Sequence, residues 1–412
     1  VTRKAWAWAF YDWANSAFPT VVSTFVIAAY FAQGIAPDPA TGQAQWGMMQ
    51  SLAGLATAIL SPVLGAVADA GGRRRAMLAT FTLLTAIATA CIWFATPTPA
   101  SAAYALLCVG LATIGFELGT VFYNSMLPQV APRERIGRVS GLAWGLGYAG
   151  GLACLAVCLL LLVQPNPSPL GLDRGQAEHV RATAPLVAAW LLLFSWPALL
   201  ALPDPPGRRP PWRVAMAEGL AEVVALVRTL PKQPVLARFL VARLFYTDGL
   251  NTLFAFGAIY AAGVFGMGFE KILLFGIAMN VAAGAGAAGF ALVEDRVGSR
   301  RMVLMALGAM LVLGLPLLLT GSETWFWILA LSLGLFFGPA QAASRAFMAR
   351  LAPPGEASAW FGLFALSGRV TGFLGPAALA AVTAATDSQR LGMATVLAFL
   401  AIGAAVLATV RE

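Results

Sequence analysis

The sequence predicts an all-α membrane protein of twelve transmembrane helices, arranged as two six-helix repeats. Three observations carry that prediction. Of 412 residues, 59% are hydrophobic and only 11% charged, whereas a soluble domain carries about 25% charged residues. Apolar runs of about 20 residues, enough to cross a bilayer, recur along nearly the whole chain. Short polar motifs in the first half return in the second at nearly constant offsets.

The expected spans are 5–33, 47–69, 76–96, 101–124, 140–163 and 184–203, then 236–264, 271–293, 301–320, 324–346, 357–384 and 390–410. The stretch 204–234 between the sets is Pro-rich and charged, with an amphipathic middle. It divides the chain into an N-terminal half, 1–203, and a C-terminal half, 235–412. The first apolar stretch runs about 25 residues and ends without an A-x-A site, so it reads as a span that stays, not a cleaved signal.

The net charge of +8 is not gathered into one patch, so no nucleic-acid partner is expected. Of the 26 Lys and Arg, only Arg174, Arg181, Lys271 and Arg390 fall in loops on one side of the expected topology. The positive-inside rule then places both termini in the cytoplasm. Cys91, Cys108, Cys154 and Cys158 lie inside apolar runs, and the single histidine, His179, lies in a loop. Cys154 and Cys158 have the spacing of a soft-metal pair, but Leu, Ala and Val surround them and no Met-x-x-x-Met or His-x-x-x-Met pair accompanies them. No metal site, cofactor, P-loop or enzyme is expected.

The repeat is most visible in the loops. "GAVADAGGRRRAM" (Gly65–Met77) follows span 2 and "ALVEDRVGSRRMV" (Ala291–Val303) follows span 8. Asp69 and Asp295, Gly72 and Gly298, and Arg74 and Arg300 correspond at an offset of 226. "VAPRERIGRVSG" (130–141) matches "LAPPGEASAWFG" (351–362) at an offset of 221. Asp12-x-x-Asn15 in span 1 is echoed by Asp248-x-x-Asn251 in span 7. Two parallel six-helix repeats about an axis along the membrane normal form a transporter architecture.

Gly65, Asp69, Gly72, Arg73 and Arg74 match the loop motif of the major facilitator superfamily, G-x-x-x-D-[RK]-x-G-[RK]-[RK]. Ala70 departs from it. The second copy keeps Asp295, Arg296, Gly298 and Arg300, with Ala291 in place of the first glycine. More narrowly, "YDWANSAF" (11–18), "FYNSMLP" (122–128), "SGLAWGLGYAGG" (140–151), "YTDGLNTLFAFGAIYA" (246–261) and "GPAQAASRAFMARLAPPGE" (338–356) resemble the autophagy-related vacuole-effluxer-like branch. The resemblance implies the major facilitator fold and secondary transport by alternating access. The motif loops would latch the cytoplasmic face. Family members are associated with amino-acid efflux from fungal vacuoles. The expected cargo is therefore a small zwitterion such as an amino acid, exported with proton coupling. The expected setting is a monomer in the lipid of a bacterial inner membrane. Two alternatives stay open: transport of amphipathic or lipidic compounds or drugs, and a transport-inactive sensor or assembly factor.

Polar residues inside the spans are costly in lipid and mark candidate sites. Asp12 lies about 10 Å into span 1, and Asn15 shares its helix face. With Asp248 and Asn251 they read either as an inter-domain gate or as direct substrate or proton ligands. Arg369, about 18 Å deep in span 11, would grip a substrate carboxylate or pair with Asp248 or Glu117. Glu117 in span 4 has Gly338 as its repeat equivalent, and it reads as a proton-coupling group or an inter-helix ion pair. Tyr246, Asn280 and Gln341 are candidate cavity hydrogen-bonders. Arg243 is expected near the cytoplasmic edge, snorkelling or capping the gate, and Arg345 reads as structural near a helix end. The glycines of 147–151 and 280–289 permit close helix packing.

Overall fold

The computed structural model describes residues 2–168, 170–202, 204 and 210–410. Residue 203, at the end of the sixth expected span, and residues 205–209 of the expected central loop lie outside the described residues.

Among the described residues, eleven helices are long and apolar enough to cross a membrane. In chain order they are α1 (Arg3–Ile35), α2 (Pro39–Gly71), α3 (Arg74–Phe94), α4 (Pro99–Val130), α5 (Arg133–Val163), α6 (Glu178–Ala201), α7 (Pro234–Phe265), α8 (Glu270–Val297), α9 (Ser299–Leu319) and α10 (Glu323–Leu351). Two shorter helices follow, α11 (Ala357–Ser367) and α12 (Leu374–Thr386), and then the eleventh long one, α13 (Gln389–Ala408). A linker helix, Trp212–Thr229, joins the halves.

The segment 357–384, expected as one continuous span, is broken over 368–373. Gly368 and Gly372 weaken helix there, and Pro376 lacks the N–H that a continuous helix would direct at Gly372. The break carries Arg369. In α1, Pro19 likewise cannot donate to Asn15, and the helix widens to π geometry over Phe18–Phe25.

The end of the bundle that holds the first residues of α1 and the α2–α3, α4–α5, α8–α9 and α10–α11 connections is rich in arginine, and we call it the basic end. The motif glycines have a conformational reason there. Gly72 ends α2 at φ 58° and Gly298 follows α8 at φ 91°, a region that side-chain-bearing residues rarely adopt.

Glycine also sets the distance between the halves. A Cβ on Gly65 would lie 2.3 Å from the Ser358 carbonyl oxygen, and one on Gly362 would lie 2.5 Å from that of Ser61. The α5–α8 contact mirrors this, because a Cβ on Gly141 would lie 2.6 Å from that of Ala291. The alanine that departs from the motif at 291 is therefore accommodated by a glycine on the facing helix. Within each half, Gly150 meets the Trp13 backbone and Gly286 meets that of Leu335, again closer than any Cβ would allow.

Candidate functional site

Asp69 Oδ2 accepts the Ala359 N–H at 2.9 Å, at the start of α11 in the other half. Its Oδ1 takes the Arg74 Nε–H at 2.7 Å, and Arg74 reaches on to the Gly355 carbonyl at 2.9 Å. Asp295 repeats the arrangement. Its Oδ1 accepts the Arg138 N–H at 3.0 Å, in the first turns of α5. Ala359 and Arg138 are themselves equivalent at the 221-residue offset of the second repeat pair. Each motif aspartate thus binds the N-terminal backbone of a helix in the opposite half, where the helix dipole favours a carboxylate. We call these two bonds clasps. Arg350 adds approaches of 3.6 Å to both Glu294 and Asp295. Arg300 does not follow Arg74, because it bonds the Leu407 and Ala408 carbonyls at the end of α13. Arg73 turns to the Pro210 carbonyl and stacks over Trp212 of the linker helix. Arg296 lies in the last turn of α8.

Below the clasps, Asp12 meets Arg345. The Arg345 Nη1–H donates to Asp12 Oδ2 at 2.9 Å. The same guanidinium donates to Ser140 Oγ at 2.9 Å, to the Ser140 carbonyl at 2.7 Å and to Asn124 Oδ1 at 3.4 Å. Rings of Trp8, Tyr123 and Trp144 surround it at cation–π distance. Trp8 is fixed by stacking on Tyr123 and by donating its indole N–H to the Tyr123 carbonyl. Arg345 belongs to α10, whereas every one of these partners belongs to the first half. Its side chain is 4% exposed, so its charge is compensated almost wholly from across the interface.

Deeper still, Arg369 in the break pairs with Glu117 of α4. Their side chains are 39% and 17% exposed, against 4% and 15% for Arg345 and Asp12. Asn15, beside Asp12, is buried and donates to Thr120 Oγ1 at 3.4 Å.

Asp12 and Asp248, expected to face one another, are not brought together. Asp12 turns to Arg345 of the opposite half, while Asp248 accepts the Gly375 N–H at 2.9 Å within its own half. The sequence echo between them places equivalent residues on equivalent helices without giving them equivalent partners. Asn251 is exposed. Tyr246 is buried and bonds Ser344 Oγ at 2.8 Å, Asn280 donates to the Gly276 carbonyl of its own helix, and Gln341 is half-buried. Arg243 does not snorkel. It is buried over the Phe364 ring and donates to the Phe364 carbonyl and Ser367 Oγ, tying α7 to the end of α11.

Arg345 is the residue that sequence reasoning undervalued. The available signal was its own charge: its helix offers no nearby acid, and an arginine inside an apolar bundle needs a carboxylate from elsewhere. A cavity of about 710 Å³ also lies at the basic end, lined by Arg74, Gln129, Arg133, Asp204 and Pro354 among others. None of Asp12, Glu117, Asp248 and Arg369 lines it, so it is separate from those four groups, although Arg74 of the clasp borders it.

Comparison with known proteins places this geometry in context. Residues 40–412 match the family described as "Vacuole effluxer Atg22 like"; α1, including Asp12, precedes the matched region. The MFS-type transporter YxiO of Bacillus subtilis (strain 168) is 26% identical over 419 residues, covering 100% of this chain and 95% of that protein. Autophagy-related protein 22 of Cryptococcus neoformans is 29% identical over 294 residues, covering 66% of this chain and 50% of the fungal protein. Among solved structures, the transporter FucP in its outward conformation superposes with a TM-score of 0.75 at 14% identity, over 100% of this chain and 99% of FucP. That likeness shows the fold, which is the major facilitator fold.

Proposed function

Because the chain belongs to the Atg22-like vacuole-effluxer family, and so is a membrane transporter of the major facilitator type, we propose that it is a secondary transporter of small zwitterions such as amino acids. Residues 1–203 and 235–412 are the two moving units, and the basic end faces the cytoplasm of a bacterial inner membrane, as the arginine distribution supports. Export coupled to protons is the direction and drive that the family resemblance favours.

The observation that carries the substrate class is the Glu117–Arg369 pair. It joins the halves, it is partly accessible, and it presents one carboxylate and one guanidinium side by side. A zwitterion offers the complementary set. Its carboxylate matches the planar fork of Arg369, and its ammonium replaces the arginine against Glu117. Binding would exchange one intramolecular ion pair for two intermolecular ones and free the halves to separate. Asp12 and Arg345 would act as the gate between this pair and the clasps. Opening the basic end requires Arg345 to leave Asp12, Asn124 and Ser140 together, and entering water replaces those bonds as the charges part. Asp69 and Asp295 are the latch above it.

The test is counterflow of labelled amino acids in vesicles reconstituted with purified protein. Zwitterions should exchange, whereas their esters and N-acyl derivatives, each lacking one charge, should not. Exchange of amphipathic compounds alone would replace this reading with a lipid or drug transporter. Absence of flux for every class would favour a sensor or assembly role.

A further inference from the structure

Asp248 and Thr252 are one turn apart on α7, so their side chains share a face. Each residue is 1% exposed. Asp248 Oδ2 is occupied by the Gly375 N–H. Its Oδ1 has no hydrogen-bond partner among the described residues, and neither has Thr252 Oγ1. The two oxygens converge on one place, since a Cβ on Gly375 would lie 3.0 Å from Asp248 Oδ1 and 2.2 Å from Thr252 Oγ1. They do not bond each other, and glycine places no Cβ between them.

A buried carboxylate oxygen without a partner is expensive. The arginines that might have neutralised it are engaged elsewhere, Arg243 on Phe364 and Ser367, and Arg369 on Glu117. Among the described residues no ion pair involves Asp248. The site also adjoins a break between helices, the setting in which transporters offer backbone oxygens to ions. Pro376 has no N–H to offer the Gly372 carbonyl, which frees one backbone oxygen at that break.

We propose that Asp248 Oδ1 and Thr252 Oγ1 are ligands of a sodium ion held in the space over Gly375. The donors are hard oxygens, which suit an alkali or alkaline-earth cation. A single carboxylate balances a monovalent charge, and no group of three acidic, histidine or cysteine side chains suited to a metal occurs among the described residues. The site deepens the transport reading by adding sodium as a second coupling ion beside the proton, and it rests on that reading only where flux is measured.

The test begins with thermal unfolding of the purified protein in detergent, in sodium chloride against choline chloride at equal ionic strength and pH. A ligand that binds only the folded state raises the midpoint, so wild type should show a saturable rise with sodium. Thr252→Val, which removes only the hydroxyl, should abolish the rise. Asp248→Asn, which keeps an acceptor for the Gly375 N–H, should abolish it too. No rise in wild type, an undiminished rise in Thr252→Val, or the same stabilisation from acid alone without sodium would each overturn the site. The acid result would make it a proton site. In vesicles, an imposed sodium gradient should drive amino-acid uptake in wild type and not in Thr252→Val. Sodium binding with no flux of any solute would uphold the site and reject the transport reading. Flux with neither sodium binding nor sodium dependence would do the reverse.

Discussion

Arg345 and Asp12 form an ion pair of 2.9 Å between the tenth and first helices, one from each half of the chain. Because the guanidinium draws all its hydrogen-bond acceptors from the opposite half, this pair reports directly on whether the halves are together at that level.

Removing one member of a buried pair leaves the other charge uncompensated, at roughly 3–5 kcal/mol. Asp12→Asn and Arg345→Gln should each cut exchange severely and lower the unfolding midpoint. The double variant should lose less than the sum of the two, as expected of residues in contact. Asp12→Asn combined with Asp248→Asn should instead be additive, since those residues share no partner. Midpoints and flux at matched expression decide both cycles, and additivity of Asp12 with Arg345 would remove the gate from the mechanism.

Arg369→Lys should raise the apparent KM for amino acids by about tenfold, equivalent to about 1.4 kcal/mol, because an ammonium cannot reproduce the bidentate fork. Glu117→Gln should abolish uptake driven by a pH gradient and, because it loses the charge that meets the ammonium, should also raise the apparent KM for counterflow. Identical pH dependence in the Glu117 variant and wild type would exclude a coupling role. The Arg369 result is read from initial rates against substrate concentration.

Asp69→Asn retains an oxygen for the Ala359 N–H but loses the charge that holds Arg74. The basic end should open more often, increasing the labelling of a cysteine introduced at Ser61, whose hydroxyl donates to the Gly362 carbonyl across the closed interface. Unchanged labelling together with wild-type flux would show that the loop does not latch.

Glu222, on the linker helix, gives a pH dependence. Burial, and then the charges of Asp69 and Glu356, push its carboxyl from 4.5 up to about 7, with Arg74 opposing. A raised carboxyl pKa means that the docked linker binds the proton more tightly than the released one. Docking is therefore favoured at low pH and weakens as pH rises from about 4.5 towards 7. Glu222→Gln should flatten that dependence and strengthen docking above pH 7, which protease accessibility of the linker would measure. A wild-type profile in the variant would rule Glu222 out.

The helices and the repeat were legible because lipid permits few solutions, so long apolar runs and paired loop motifs carry most of the architecture. The offsets 226 and 221 relate the two clasps to each other, Asp69 with Ala359 answering Asp295 with Arg138, but they did not name either partner. The partner of Asp12 was not legible. Choosing Arg345 over Arg243 or Arg369 depends on how each helix is rotated about its axis, and helices apolar on every side carry little rotational signal. The break at 368–373 was hidden for a related reason. Hydropathy continues through it, and only two glycines and a proline mark the loss of backbone bonds.

The two clasps are alike in their backbone bonds, 2.9 Å and 3.0 Å, but differ in the arginine beside each aspartate. Asp69 and Arg74 are 2% and 3% exposed at 2.7 Å, whereas Arg138 is 38% exposed and stands 3.6 Å from Asp295. Salt and water reach the second far more readily than the first. The seam between the fifth and eighth helices is therefore the one whose charges solvent and salt can compete for, while the charges at the seam between the second and eleventh helices are shielded from both.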